Sequence, residues 1–169
     1  MKVGIYIDGA NLFYQGKRSG WHLDYKKFYR WVEKENEIVV AKYFIGEPFW
    51  EPAMSINRAF NSYLRRIGFA IISKPLKRLK SKTGGVKNKC NFDVEIHDEI
   101  IHDLDKLDMV YLASGDSDFM RTKERVLSKG KKIKFLAYKL GCAWELKLSW
   151  HVFLDDIKEE VQRVKTIDD

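Results

Sequence analysis

The chain has little of what would tie it to a membrane or an oxidising compartment. Its two cysteines, Cys90 and Cys142, stand far apart, with no Cys-x-x-Cys and no paired-histidine spacing. Neither a disulfide framework nor a zinc site is indicated, and both are expected as free thiols. No apolar run approaches the roughly 20 residues of a membrane-spanning helix, and the chain opens on a strand-like segment in place of a basic and apolar leader. A cytoplasmic protein with no membrane partner is the expectation. No Gly-x-Gly-x-x-Gly and no phosphate-loop lysine motif occurs, which argues against a nucleotide cofactor. No repeat or low-complexity segment is visible. With only three prolines and 45% hydrophobic residues, the composition is far from that of a disordered chain.

What is present fits one folded domain. The 169 residues leave no room for two independent cores. Residues 1–157 are expected to form it, with 158–169 as a polar tail. Lys2 to Asp8 alternates Val3, Ile5 and Ile7 with smaller or polar residues and stops at Asp8-Gly9, as a buried strand ending in a turn does. Asp24 can cap a helix carrying Tyr25, Phe28, Trp31 and Val32. Glu37 to Ile45 reads as a strand, and Pro48 and Pro52 mark a loop. Ala53 to Ile67 reads as an amphipathic helix closed by Gly68. Phe69–Ser73, Asp108–Ser114, Lys131–Tyr138 and Val152–Leu154 read as further strands, separated by helices over Phe92–Leu107, Ser117–Ser128 and Ala143–Ser149. This alternation predicts an α/β fold, a mainly parallel sheet with helices on both faces. Ligands in such sheets bind beyond the carboxyl ends of the strands.

The net charge of +7 conceals a segregation. Lys74, Lys77, Arg78, Lys80, Lys82, Lys87 and Lys89 fall in one stretch without an acid, and its Gly84-Gly85 pair suggests a hairpin or loop. The sign then inverts, with seven acids and one lysine between Asp93 and Asp108. The basic stretch suits a polyanionic partner; its plainer reading is a solvated lysine-rich loop.

Three positions among the acids stand out. Asp8 closes the first strand, and Asp116 and Asp118 follow the strand ending at Ala113, so both sites belong to the same sheet edge. Asp93 leads the helical stripe Ile96, Ile100, Leu104 and Leu107. Any one of these acids alone would read as a helix cap or turn former. Converging carboxylates stay ionised only with a cation between them, and all-oxygen ligands suit Mg2+ or Mn2+. Such an ion activates water for phosphodiester hydrolysis. Glu95, Asp98, His102 and Asp105 lie around the opposite helix face and read as solvated surface.

Three ordered blocks resemble those of the NYN domains, in particular the LabA-like branch of the PIN-like nuclease superfamily. They are Ile7-Asp8-Gly9-Ala10-Asn11-Leu12, then Lys89-Cys90-Asn91-Phe92-Asp93-Val94-Glu95, then Ser114-Gly115-Asp116-Ser117-Asp118-Phe119. The similarity runs from about Lys2 to Asp156. It implies a three-layer PIN-like fold and an Mg2+- or Mn2+-dependent endoribonuclease acting on RNA, with single strands the expected substrate. It also implies that Asp8, Asp93, Asp116 and Asp118 form the metal-binding acidic cluster and that Asn11 orients a ligand, a metal-bound water or the substrate. Where family members commonly carry a further Asp, this chain has Glu99, which a helical wheel sets about 120° from Asp93. Near the C-terminus Ala143-Trp144-Glu145-Leu146 and Trp150-His151 replace the Ser-x-x-Leu and Ala-Asp of many relatives.

Other residues admit simpler uses. His97 lies near the apolar stripe and reads as a packing histidine. Trp21, Tyr25, Phe28 and Trp31 recur at helical spacing and read as core, whereas Phe49 and Trp50, in the proline-flanked loop, are better placed to stack on bases. Arg121, Lys123 and Arg125 could reach phosphates but suffice as helix-surface charges. The main alternative function is a nucleic-acid-binding or regulatory module with this fold and little turnover. Asp116-Ser117-Asp118 also suggests a haloacid-dehalogenase-like phosphatase, but that family carries its Asp-x-Asp after the first strand, where Ala10 stands two residues beyond Asp8. Self-association into a homo-oligomer is left open by the sequence.

Overall fold

The structure is a computed structural model describing residues 1–80 and 86–164. The first strand, β1 (Lys2–Asp8), lies at the centre of a parallel sheet. Asp8 ends it by capping α1 (Gly9–Ser19), its side chain accepting the Asn11 backbone N–H at 3.1 Å. Gly9 must be glycine here, because a Cβ would come within 2.5 Å of the Tyr43 ring and 2.6 Å of the Phe44 carbonyl oxygen. Asp24 caps α2 (Tyr25–Glu33) as expected, accepting from the backbone N–H groups of Lys26 and Lys27. Then follow β2 (Glu37–Glu47), α3 (Ala53–Ile67) and β3 (Ala70–Pro75), with Gly68 closing α3 at φ 122°.

The basic stretch forms a separate antiparallel ribbon, β4 (Lys77–Lys80) with β5 (Val86–Lys89). It leads directly into α4 (Asp93–Asp103), after which the expected helix tightens into a 3-10 turn at Leu104–Lys106. Next come β6 (Met109–Ala113), a 3-10 turn at Ser117–Phe119, α5 (Met120–Ser128), β7 (Lys132–Ala137), α6 (Trp144–Lys147) and β8 (His151–Phe153). Among the described residues the sheet order is β3-β2-β1-β6-β7-β8, with every neighbouring pair parallel.

Alternation along β1 sets the layers. Val3, Ile5 and Ile7 face a core completed by Leu12, Phe28, Val32 and Leu64 of α1 to α3. Tyr6 faces the opposite core, with Ile96 and Ile100 of α4, Val126 of α5 and Leu146 of α6. Trp21 and Phe28 are buried, and Tyr25 and Trp31 pack against the same core, so these aromatics serve the interior.

Within the segment expected as a polar tail, Lys158–Val161 is the short helix α7. Its Val161 is fully buried, and Gln162 pairs with Leu23. Val161 and two backbone hydrogen bonds, from the Asp24 N–H to the Val161 carbonyl and from the Arg163 N–H to the His22 carbonyl, both at 2.8 Å, hold an otherwise polar segment to the domain, and one apolar residue carries no periodicity for a sequence pattern to display.

Candidate functional site

Strand order reverses between β1 and β6, since β2 and β3 extend the sheet to one side of β1 and β6 to β8 to the other. In parallel sheets that reversal opens a crevice at the carboxyl ends of the strands. Asp8 stands at the end of β1, and Ser114-Gly115-Asp116 follows the end of β6.

Hydrogen bonds close these two strand ends around one another. Ser114 Oγ donates to Asp8 Oδ2 at 3.3 Å, and the Asp116 backbone N–H donates back to Ser114 Oγ at 3.3 Å. Asn11 Oδ1 accepts from the Gly115 backbone N–H at 2.9 Å and from Gln15 Nε2 at 2.7 Å. Gln15, buried one helical turn beyond Asn11, also donates to the Gly141 carbonyl and accepts from the Tyr138 backbone N–H. Through Asn11 and Gln15, α1 thus holds the loops after β6 and β7. Gln15 and Ser114 were not anticipated; the signal was the i, i+4 spacing from Asn11 and a serine directly after a buried strand.

Asp93 enters from α4. It is partly buried in the first helical turn, where its charge complements the helix dipole, and its backbone N–H is capped by Asn91 Oδ1 at 2.8 Å. Asp8 feels it. Burial, then the charges of Asp93 and Asp116, push the Asp8 carboxyl up to about 6, against the lowering effect of the Asn11 and Ser114 hydrogen bonds. Asp8, Asp93 and Asp116 are therefore electrostatically coupled. Asp118 is exposed, and its backbone N–H donates to Asp116 Oδ1 at 3.0 Å. Among the described residues no three His, Cys, Asp or Glu side chains are gathered closely enough to hold an ion as they stand. The donors are nonetheless the right ones for a hard divalent cation. They are carboxylates whose mutual repulsion at Asp8 an ion would relieve.

The NYN domain family matches residues 2–157 of the chain. This chain belongs to the NYN domain family. Over 168 residues, 97% of the chain and 89% of the relative, it is 25% identical to the low amplitude and bright protein LabA of Synechococcus elongatus. It also resembles the crystal structure of a Vibrio parahaemolyticus protein of unknown function, with a TM-score of 0.77 and 26% identity over 96% of each chain. NYN domains are nuclease-like, and the parallel sheet with helices on both faces is the architecture expected from the three sequence blocks.

Within this NYN domain several charged residues do something other than the sequence suggested. Glu99, which the family resemblance brought into question as a further site acid, is ion-paired with Lys42 of β2. The same ammonium binds Asp103, which is 3% exposed and also accepts a hydrogen bond from Tyr6 at 3.0 Å. Asp103 follows Ile96 by seven residues and so falls on the buried stripe, the one sequence signal of this cluster. Glu95, expected as a solvated acid, is paired with Lys74, whose ammonium also lies 4.6 Å from the centre of the Phe92 ring. Lys74, expected to meet nucleic acid, is thus engaged with α4, because the end of β3 runs beside the start of that helix. Lys77 and Arg78 are exposed on the ribbon. Lys82, and the side chains of Lys80, Lys87 and Lys89, lie outside the described residues. His97 bonds Thr122 across α4 and α5 at 3.0 Å, the packing role expected of it.

Cys90 and Cys142 are free thiols. Among the described residues no helix is long and apolar enough to cross a membrane.

Proposed function

We propose that this NYN domain is a metal-dependent endoribonuclease, with Asp8, Asp93 and Asp116 as the residues that would hold Mg2+ or Mn2+ and Asp118 at the rim. The observation that carries this reading is the bonding of the Asp8 and Asp116 strand ends to one another through Ser114 and Asn11, where burial first and then the Asp93 and Asp116 charges push the Asp8 carboxyl up. Such a site holds more negative charge than its surroundings balance, which is the condition a divalent cation satisfies. When bound, the ion supplies an activated water and stabilises charge on the phosphodiester oxygens. The chain's own part is positional. Asp8 is fixed by the Asn11 and Ser114 hydrogen bonds, and the Asn11 side chain keeps Gly115, and with it Asp116, against β1. The exposed Lys77 and Arg78 would draw in the phosphate backbone, single-stranded RNA being the proposed partner.

One observation favours a second reading, a nucleic-acid-binding or regulatory module with little turnover: the carboxylates are coupled but not drawn together. Labelled single- and double-stranded RNA and DNA, incubated with Mn2+, Mg2+ or chelator beside Asp93→Asn, separate the two. The nuclease reading expects cleavage that chelator and Asp93→Asn both abolish. Chelator-insensitive cleavage, or equal cleavage by the variant, overturns it, and binding without cleavage in every metal selects the module.

A further inference from the structure

We infer that Phe49, Trp50 and Arg78 form a base-stacking subsite for single-stranded nucleic acid at the margin of the carboxylate crevice. The inference deepens the nuclease reading and rests on it for the identity of the ligand. Phe49 and Trp50 follow β2, the strand beside β1, and so emerge at the same sheet edge as Asp8. They are 48% and 38% exposed, much area for two large rings to leave in water. The rings meet edge to face, with centroids 4.9 Å apart and planes at 77°. Arg78, distant in sequence, holds its guanidinium 5.2 Å from the centre of the Phe49 ring.

The packing that brings them together is specific. Leu76, at the root of the ribbon, donates its backbone N–H to the Glu47 carbonyl at 2.9 Å. Its side chain crosses Gly46, where a Cβ would stand 2.4 Å from Leu76 Cδ2 and 3.2 Å from Cys90 Cβ. The missing side chain lets both ends of the ribbon seat against β2, immediately before the aromatic pair. The two acids that flank the aromatic pair in sequence have other partners: Glu47 accepts from Ser73, and Glu51 is paired with Arg58. A positive guanidinium on an exposed aromatic pair, beside a basic ribbon, combines the ring face that bases stack on with the cation that phosphates need. A duplex keeps its bases stacked inside and offers such rings no partner, so the subsite takes single strands.

Both aromatic side chains are exposed, so their replacement leaves the core intact. Binding is measured by fluorescence anisotropy of the full chain in chelator, with three probes: a short oligouridylate, an abasic strand of the same length, and vesicles of phosphatidylserine and phosphatidylcholine. The double variant Phe49→Leu/Trp50→Leu should lose roughly 10-fold or more in affinity for oligouridylate and little for the abasic strand, while Phe49→Tyr/Trp50→Phe retains binding. Equal losses on both strands, no loss on either, or a loss confined to vesicles overturns the inference. Because chelator removes cleavage from the readout, a chain that stacks bases without cutting RNA keeps this subsite and loses the nuclease reading. A chain that cuts RNA while the Leu variant binds normally does the reverse.

Discussion

Lys42 of β2 is ion-paired with Glu99 of α4, its side chain 13% exposed between sheet and helix. That pairing places Glu99 in a cluster with Asp103 and Tyr6, built around the Lys42 ammonium. Glu99→Gln is therefore expected to preserve the thermal stabilisation produced by Mn2+, which Asp93→Asn should lose. Differential scanning fluorimetry with and without Mn2+ checks this; loss of the Mn2+ response in Glu99→Gln would return Glu99 to the metal shell.

The same cluster carries stability. Lys42→Met leaves the buried Asp103 carboxylate only the more distant, exposed Lys106 ammonium at 3.9 Å, and removing the close partner of a buried pair costs about 3–5 kcal/mol. Urea unfolding should show a loss of that order. Pairing the change with Asp103→Leu should recover most of it, because the orphaned charge is then gone.

Asp8 sets a pH dependence of unusual sign. Its folded carboxyl, pushed up to about 6, holds its proton more tightly than in the unfolded chain. The folded state therefore binds more protons between about pH 4 and pH 6, and stability falls as pH rises through that window. Asp8→Asn keeps the helix cap and removes the charge, so in chelator at neutral pH it should be more stable than the parent by on the order of 2–3 kcal/mol. Thermal unfolding across this pH range measures it, and a variant less stable than its parent at neutral pH would refute the charge-crowded description of the crevice.

Asn11 acts as a brace. Asn11→Ala strips the acceptor from the Gly115 backbone N–H and from Gln15, and a buried donor left unsatisfied costs about 1–3 kcal/mol. The proposed nuclease activity should fall further than stability, since Asp116 is held through this loop. Parallel measurement of unfolding free energy and cleavage rate tests the split.

Lys77 and Arg78 should set the salt response. If both meet phosphates, Lys77→Ala/Arg78→Ala reduces the slope of log K against log salt for a single strand by about 1.4, at roughly 0.7 per contact. A slope equal to the parent's would show that neither touches the backbone.

The sequence by itself determined the local terms of this protein. The β1 alternation predicts two faces and a turn at Asp8-Gly9, and the α4 stripe predicts which side of that helix is buried. Acids directly after strands β1 and β6 announce a site at the carboxyl edge of a parallel sheet. Each of these signals is carried by neighbours within a few residues, where backbone period and capping chemistry act. Tertiary structure alone decided which partner each charge takes. Lys42 claims Glu99 and Asp103, Lys74 claims Glu95, Arg78 covers Phe49, and Val161 secures a segment that reads as a polar tail. These ion pairs join residues 21, 57 and 61 positions apart. They follow from strand order, register and the seating of the ribbon on Gly46, and a one-dimensional pattern assigns a side chain its face without saying what lies across from it.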